Sequence, residues 1–226
     1  MMHSNPGSTS PLGFQAFLDR NRGEETPVTP NPTTGPLGRT SSTVAGVVLA
    51  SVCIAWVALA LIHPTSLTDE DTPTWMLVHI AQLVFAPIIA LGIVTLLKGV
   101  KGPSATVARG AAVFWAAWFS AYDAVAGIAT GILIGGDARA AGEYLYAHDL
   151  IAGLGWVAPT MWLLAVIPAG LALRGSRPMV TPVALLVSAL VFTPAGPPAA
   201  VGFAALALAM WAGLTMRDHS GLSRSR

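Results

Sequence analysis

Asp123 is the residue whose setting calls for chemistry. It lies in Phe119-Ser120-Ala121-Tyr122-Asp123, near the middle of an apolar segment running from Gly110 to Gly135. Insertion scales put a carboxylate at the centre of a bilayer at a cost of about 2.5–3.5 kcal/mol. Such a group must face protein or water, where it can bind a proton or a small polar ligand, or be satisfied by Ser120, Tyr122 or Thr130. His79 and Gln82 stand one turn apart on a second apolar segment and share a face with Ala86 and Ala90. Counting 1.5 Å per residue from the segment ends, His79 lies about 6 Å deep, Thr130 about 7 Å, Gln82 about 10 Å and Asp123 about 18 Å. His79, Gln82, Thr130 and Asp123 therefore read as a descending polar track that admits a proton or small ligand.

Periodicity shows which way Asp123 faces. Ala116, Ser120, Asp123, Gly127, Thr130 and Gly131 share one arc of about 100° on a regular helix. The arc is small and polar, so it belongs against other helices and not against lipid. Gly127, Gly131 and Gly135 follow one another at four-residue spacing, which lets a second backbone approach closely. That approach can be packing within the chain or an interface with another copy or another membrane protein.

Other chemistries find less support. His63, His148 and Asp149 sit near His79 at helix ends, yet no segment presents two histidines on one face, so neither a metal nor a haem is expected. The single cysteine, Cys53, excludes an intrachain disulfide and a two-cysteine redox centre. There is no G-x-S-x-G, H-E-x-x-H, phosphate-binding Gly-Lys loop or C-x-x-C, and the reading leans away from an enzyme with no cofactor expected.

The elements that position these residues follow from composition. The 226 residues are 54% hydrophobic and 10% charged, and mean hydropathy is +0.64. Soluble domains carry about 25% charged residues. The chain is therefore expected to be an all-α integral membrane protein in contact with the lipid bilayer. A net charge of +1 without a basic run speaks against nucleic-acid binding. Arginine far outnumbers lysine, and Ala, Gly and Val dominate, a usage that resembles high-GC bacterial genomes.

Residues 1–42 are rich in Pro, Gly, Ser and Thr and read as a disordered cytoplasmic tail. The first apolar run begins too late for a signal peptide and reads as an uncleaved anchor. Six apolar segments follow over 43–216: Thr43–Ile62, Trp75–Leu97, Gly110–Gly135, Leu150–Leu173, Val180–Phe192 and Ala199–Met216. A span needs about 20 residues, so the fifth is short, either a thin span or half of a re-entrant hairpin with the sixth. Residues 217–226 form a C-terminal tail. Every basic residue except Arg139 falls in the tails or in the loops after segments two and four, while Asp69, Glu70, Asp71, Asp137, Glu143 and Asp149 fall in the others. Basic residues stay inside, so a six-helix bundle of the cell membrane with both termini cytoplasmic is expected. Trp75, Tyr144, Tyr146 and Trp211 take positions suited to interfacial aromatic belts. Pro87, Pro159 and Pro168 mark possible bends.

Three functions fit these features. The first is a protein that binds or conducts protons or a small ligand at Asp123 and His79, with Gln82, Ser120 and Thr130 contributing. The second is a non-catalytic assembly or accessory subunit, in which Asp123 and the glycines are structural. The third is a membrane enzyme or haem protein.

Overall fold

The structure is a computed structural model describing residues 36–64, 67–147, 155–190 and 196–216. The chain divides into two units, Met1–Gly38 and Arg39–Arg226. Only the start of the first helix represents the former among the described residues. Most of the N-terminal tail, His148, Asp149, residues 150–154 and 191–195, and the C-terminal tail lie outside them. The expectations made for those stretches lie outside them too.

Every regular element among the described residues is a helix. In chain order these are α1 (Pro36–Ile62), α2 (Thr72–Leu96) and α3 (Pro103–Asp123), then a π-helical segment (Ala124–Ala129), α4 (Thr130–Ile134), α5 (Arg139–Ala147), α6 (Val157–Leu173), α7 (Val180–Leu190) and α8 (Gly196–Thr215). The stretch Pro103–Ile134 is one continuous rod of 32 residues. Four helices are long and apolar enough to span a membrane: Ser41–Ile62, Thr72–Leu96, Pro103–Ile134 and Gly196–Thr215. At 1.5 Å per residue the shortest of them, 20 residues, reaches about 30 Å, the thickness of a hydrocarbon core. Large apolar side chains project outward from these rods, among them Leu61, Leu77, Leu91, Val113 and Ile132. In water so much exposed apolar surface would drive association; in a bilayer it is the lipid-facing surface.

Several boundaries differ from the sequence reading. Helix α1 starts at Pro36, inside the expected tail, because proline at a first helical position loses nothing there. The third rod starts at Pro103, well before Gly110: Gly102 turns at φ 114° and Pro103 opens the helix. Helix α7, with 11 residues, reaches only about 17 Å. Helix α5 was not expected; it forms in the loop after the third rod. There Arg139 pairs with Asp69 and, at 3.2 Å, with Glu143 one turn on. Of the three prolines, Pro87 and Pro168 are helix-internal. Pro159 falls in the first turn of α6, where it has no carbonyl to displace.

The core is aromatic where four helices meet. Trp56 of α1 stacks on Phe203 of α8 at 4.5 Å, and Trp115 of α3 lies 4.8 Å from Trp162 of α6. Phe119 bridges them, 5.5 Å from both Trp56 and Trp115. Offset and tilted pairs of this kind add about 0.5–1.5 kcal/mol each beyond the area they bury.

The far end of α2 is closed by arginines from other segments. Gly99 follows its C-terminus with φ 82°, and Gly175 follows α6 with φ 81°; both serve as the left-handed residue that ends a helix. Arg109 donates to the carbonyls of Leu97 and Val100 at 2.5 and 2.6 Å, and Arg177 donates to Leu96 at 3.0 Å. The Leu96 and Leu97 carbonyls lie at the C-terminal end of α2, where the helix leaves its last carbonyls without intrahelical partners and presents the negative end of its dipole, so guanidinium donors suit them. Lys98 and Lys101 follow this end of α2 in sequence and Arg174 lies three residues before Arg177, while Asp69, Glu70 and Asp71 precede the start of α2 and Asp137 and Glu143 flank the Arg139 that pairs with Asp69.

Candidate functional site

The acidic end holds the site. A local turn starts α2: the Thr68 hydroxyl donates to Asp71 Oδ2 at 2.6 Å, the Asp71 amide donates back to Thr68 Oγ1 at 3.2 Å, and Pro73 sits in the first turn. One face of α2 then runs Thr72, Trp75, His79 and Gln82, all buried.

That face packs on the glycines of the third rod. A Cβ on Gly135 would stand 2.9 Å from Thr72 Cγ2, one on Gly131 2.7 Å from Met76 Cγ, and one on Gly127 would overlap the His79 ring. The pairing descends one helix as it ascends the other, so the rods are antiparallel neighbours. Gly127, Gly131 and Gly135 thus meet side chains of their own chain.

This close approach brings His79 onto Asp123. His79 Nδ1 and Asp123 Oδ1 lie 2.5 Å apart, with the residues 8% and 2% exposed. At that separation one hydrogen joins the two atoms. Held on Nδ1 it makes a neutral imidazole donating to a carboxylate; held on Oδ1 it makes a neutral acid donating to the imidazole. His79 Nε2 and Asp123 Oδ2 are buried without a hydrogen-bond partner among the described residues.

The π-helical segment begins at the residue after Asp123. Its wider turns reach back five residues and advance less along the axis. Thr130 Oγ1 donates to Val125 O, five residues earlier, at 3.3 Å. The Trp75 indole donates to Gly127 O at 2.8 Å. Two side chains therefore serve backbone carbonyls of the segment. Regular geometry had separated His79 and Asp123 by about 12 Å in depth. That count began at Trp75, whereas α2 begins three residues earlier at Thr72, which removes about 4.5 Å of the difference; the π-helical segment shortens the rod further, and His79 lies directly over Gly127, four residues from Asp123.

The other sequence candidates fall around this pair. Gln82 is 2% exposed, one turn further along α2, and its Nε2 has no hydrogen-bond partner among the described residues. Ser120 lies one turn before Asp123, and its buried hydroxyl is likewise without a partner there. Ser120 also lines a groove of ≈ 560 Å³ together with Pro87, Ala90, Leu91, Val113, Ala116 and Ala117. Thr130 is fully buried, and its hydroxyl donates to the Val125 carbonyl.

Trp75 was not picked out from sequence as part of the site, and His63 was noted there only among the histidines at helix ends. Trp75, expected in a lipid belt, is 5% exposed and lies 4.6 Å from His79. Its indole N–H has a buried backbone acceptor, so it belongs to the site; Tyr144 and Trp211 remain exposed. His63, just past the end of α1, lies 5.2 Å from His79 and 4.9 Å from Trp75. Tyr146 of α5 closes the other side of Trp75 at 5.7 Å. The signal available was weak: a histidine at one helix end and a tryptophan near the start of the next. No cluster of three or more metal-ligating side chains occurs among the described residues.

Membrane-length apolar helices around a buried histidine–carboxylate pair define the class: a multi-pass helical membrane protein with a polar site between its second and third spans. No family model matches the chain, and no curated protein or solved structure matches it.

Proposed function

We propose that the His79–Asp123 pair is a proton-binding site through which this membrane protein takes up or conducts protons. The supporting observation is the 2.5 Å contact between two titratable side chains buried inside apolar helices. A carboxylate in hydrocarbon is costly unless paired or neutralised. Here an imidazole offers both remedies, by donating to the ionised acid or by accepting from the neutral one. Gly127 packs directly against the ring, which favours the smallest ligand, a proton. Gln82 and Ser120 place polar groups one turn from the pair on their own helices. We assign the acidic end to the outside and the basic end to the cytoplasm of a cell membrane, on the basis that basic residues are retained inside. Six spans with both termini cytoplasmic then follow if α7 and α8 return the chain together.

The test is proton flux into vesicles carrying the full chain, with a pH-sensitive dye inside. Flux is expected in the wild type and is expected to fall at least about a hundredfold in Asp123→Asn, the scale of losing a positioned acid–base group. Equal flux in both proteins would remove the reading. A second reading, an assembly subunit with a structural pair, is favoured by the glycine ladder that locks α2 on the third rod. It predicts no flux in either protein.

A further inference from the structure

The geometry points to His63 as the station through which protons reach the His79–Asp123 pair from the acidic end of the bundle. This inference rests on the proton-site reading above and adds the route by which that site is filled.

The observation is the orientation of two imidazoles. His63 Nδ1 lies 2.8 Å from the carbonyl oxygen of Pro64. A carbonyl can only accept, so Nδ1 donates and the neutral ring keeps a bare Nε2. In the state with Asp123 ionised, His79 likewise donates from Nδ1 and keeps a buried Nε2 with no partner among the described residues. Both rings therefore have Nδ1 fixed by an oxygen and Nε2 open to receive a proton. Fixing one nitrogen of a histidine in this manner sets the role of the other. The rings meet edge to face at 5.2 Å, and Trp75 touches both. The Trp75 side chain is itself tied to Gly127 O at 2.8 Å, so the junction has a fixed wall.

The degree of burial increases along the series. His63 is half-buried at the end of α1, His79 is 8% exposed and Asp123 is 2% exposed. Among the described residues, the titratable group set against His63 is His79 of α2, with Tyr146 of α5 beyond Trp75. Burial, and then the neighbouring His79, hold the His63 imidazole below its ordinary value, although the Pro64 carbonyl opposes this. His63 is therefore neutral at pH 7 and carries a proton only in passing.

The step balances without a further reactant. A proton from water binds His63 Nε2 and makes an imidazolium. It passes to His79 Nε2 through one water, and His63 returns to neutral. His79, now protonated on both nitrogens, gives its Nδ1 proton to Asp123 Oδ1. The product is a neutral acid beside an imidazole protonated on Nε2. The charge of the two imidazoles opposes double protonation, so one proton crosses at a time.

The experiment follows the Asp123 carboxyl by time-resolved difference infrared spectroscopy after a rapid acid jump, with the full chain in liposomes. The amplitude of the protonated-carboxyl band reports the site, and its rate of appearance reports the route. His63→Ala is expected to leave the amplitude unchanged and slow the rate about tenfold or more. Added free imidazole is expected to restore the rate. His63→Gln, which keeps a polar side chain of similar bulk, is expected to be as slow as His63→Ala and covers the case in which alanine disturbs folding. Wild-type rates in both variants would overturn the inference while leaving the site intact, and so would slowing that imidazole does not relieve. A wild type without the band would instead overturn the proton-site reading on which the inference rests.

Discussion

His79→Ala is expected to destabilise the protein by about 3–5 kcal/mol, the cost of leaving a buried charge without its partner. The pair is 2.5 Å apart and nearly inaccessible, so solvent cannot take the place of the imidazole. The cost should depend on Asp123. In the Asp123→Asn background no charge is stranded, and the same alanine substitution should cost far less. A double-mutant cycle of unfolding in detergent isolates that difference, which should fall at the upper end of the about 0.5–3 kcal/mol range of contacting residues. An equal cost in both backgrounds would mean that His79 contributes packing alone.

Gly127→Ala is expected to destabilise by about 1–3 kcal/mol, the usual range for overpacking. Its sign is the informative part. In a helix, alanine for glycine normally gains about 0.5–1 kcal/mol. Gly110, in the same rod, has nothing within 4 Å of a built Cβ, and Gly110→Ala should show that gain. At Gly127 the new carbon would overlap the His79 ring, and the helices must separate or the ring must turn. Either movement stretches the His79–Asp123 contact and the Trp75 bond to Gly127 O. Thermal unfolding of the two variants side by side checks both signs. Stabilisation by both substitutions would contradict the close packing described here.

The glycine spacing and the lone carboxylate were readable in the sequence because each is a property of one helix. Gly127, Gly131 and Gly135 mark a face that accepts a neighbour, and Asp123 lies on that face; the structure supplies the neighbour, α2. The assortment of charges was also legible. Arg109 and Arg177 converge on the end of α2 opposite to Asp69 and Arg139, as alternating loops require. The similar endings Leu97-Lys98-Gly99 and Leu173-Arg174-Gly175 are two glycine-terminated helices.

What escaped depends on more than one element. The π-helical segment Ala124–Ala129 has no marker of its own. Its carbonyls are served by Thr130 from within the rod and by Trp75 from outside it, and only the second helix could have revealed the latter. Depth counting failed mainly because α2 starts at Thr72 and not at Trp75, and it also assumed a constant rise through the π-helical segment. Trp75 near a helix start looks like any belt tryptophan until its indole finds a buried acceptor. His63 acquires meaning only where the end of α1 folds back beside α2.

The central claim is that Asp123 exchanges a proton while paired with His79. An equilibrium infrared pH titration of the full chain in liposomes tests it most directly, with wild type, Asp123→Asn and His79→Ala compared. A protonated-carboxyl band is expected to appear on acidification in the wild type, to vanish in Asp123→Asn, and to shift its midpoint in His79→Ala. A titration identical in wild type and Asp123→Asn would contradict the claim.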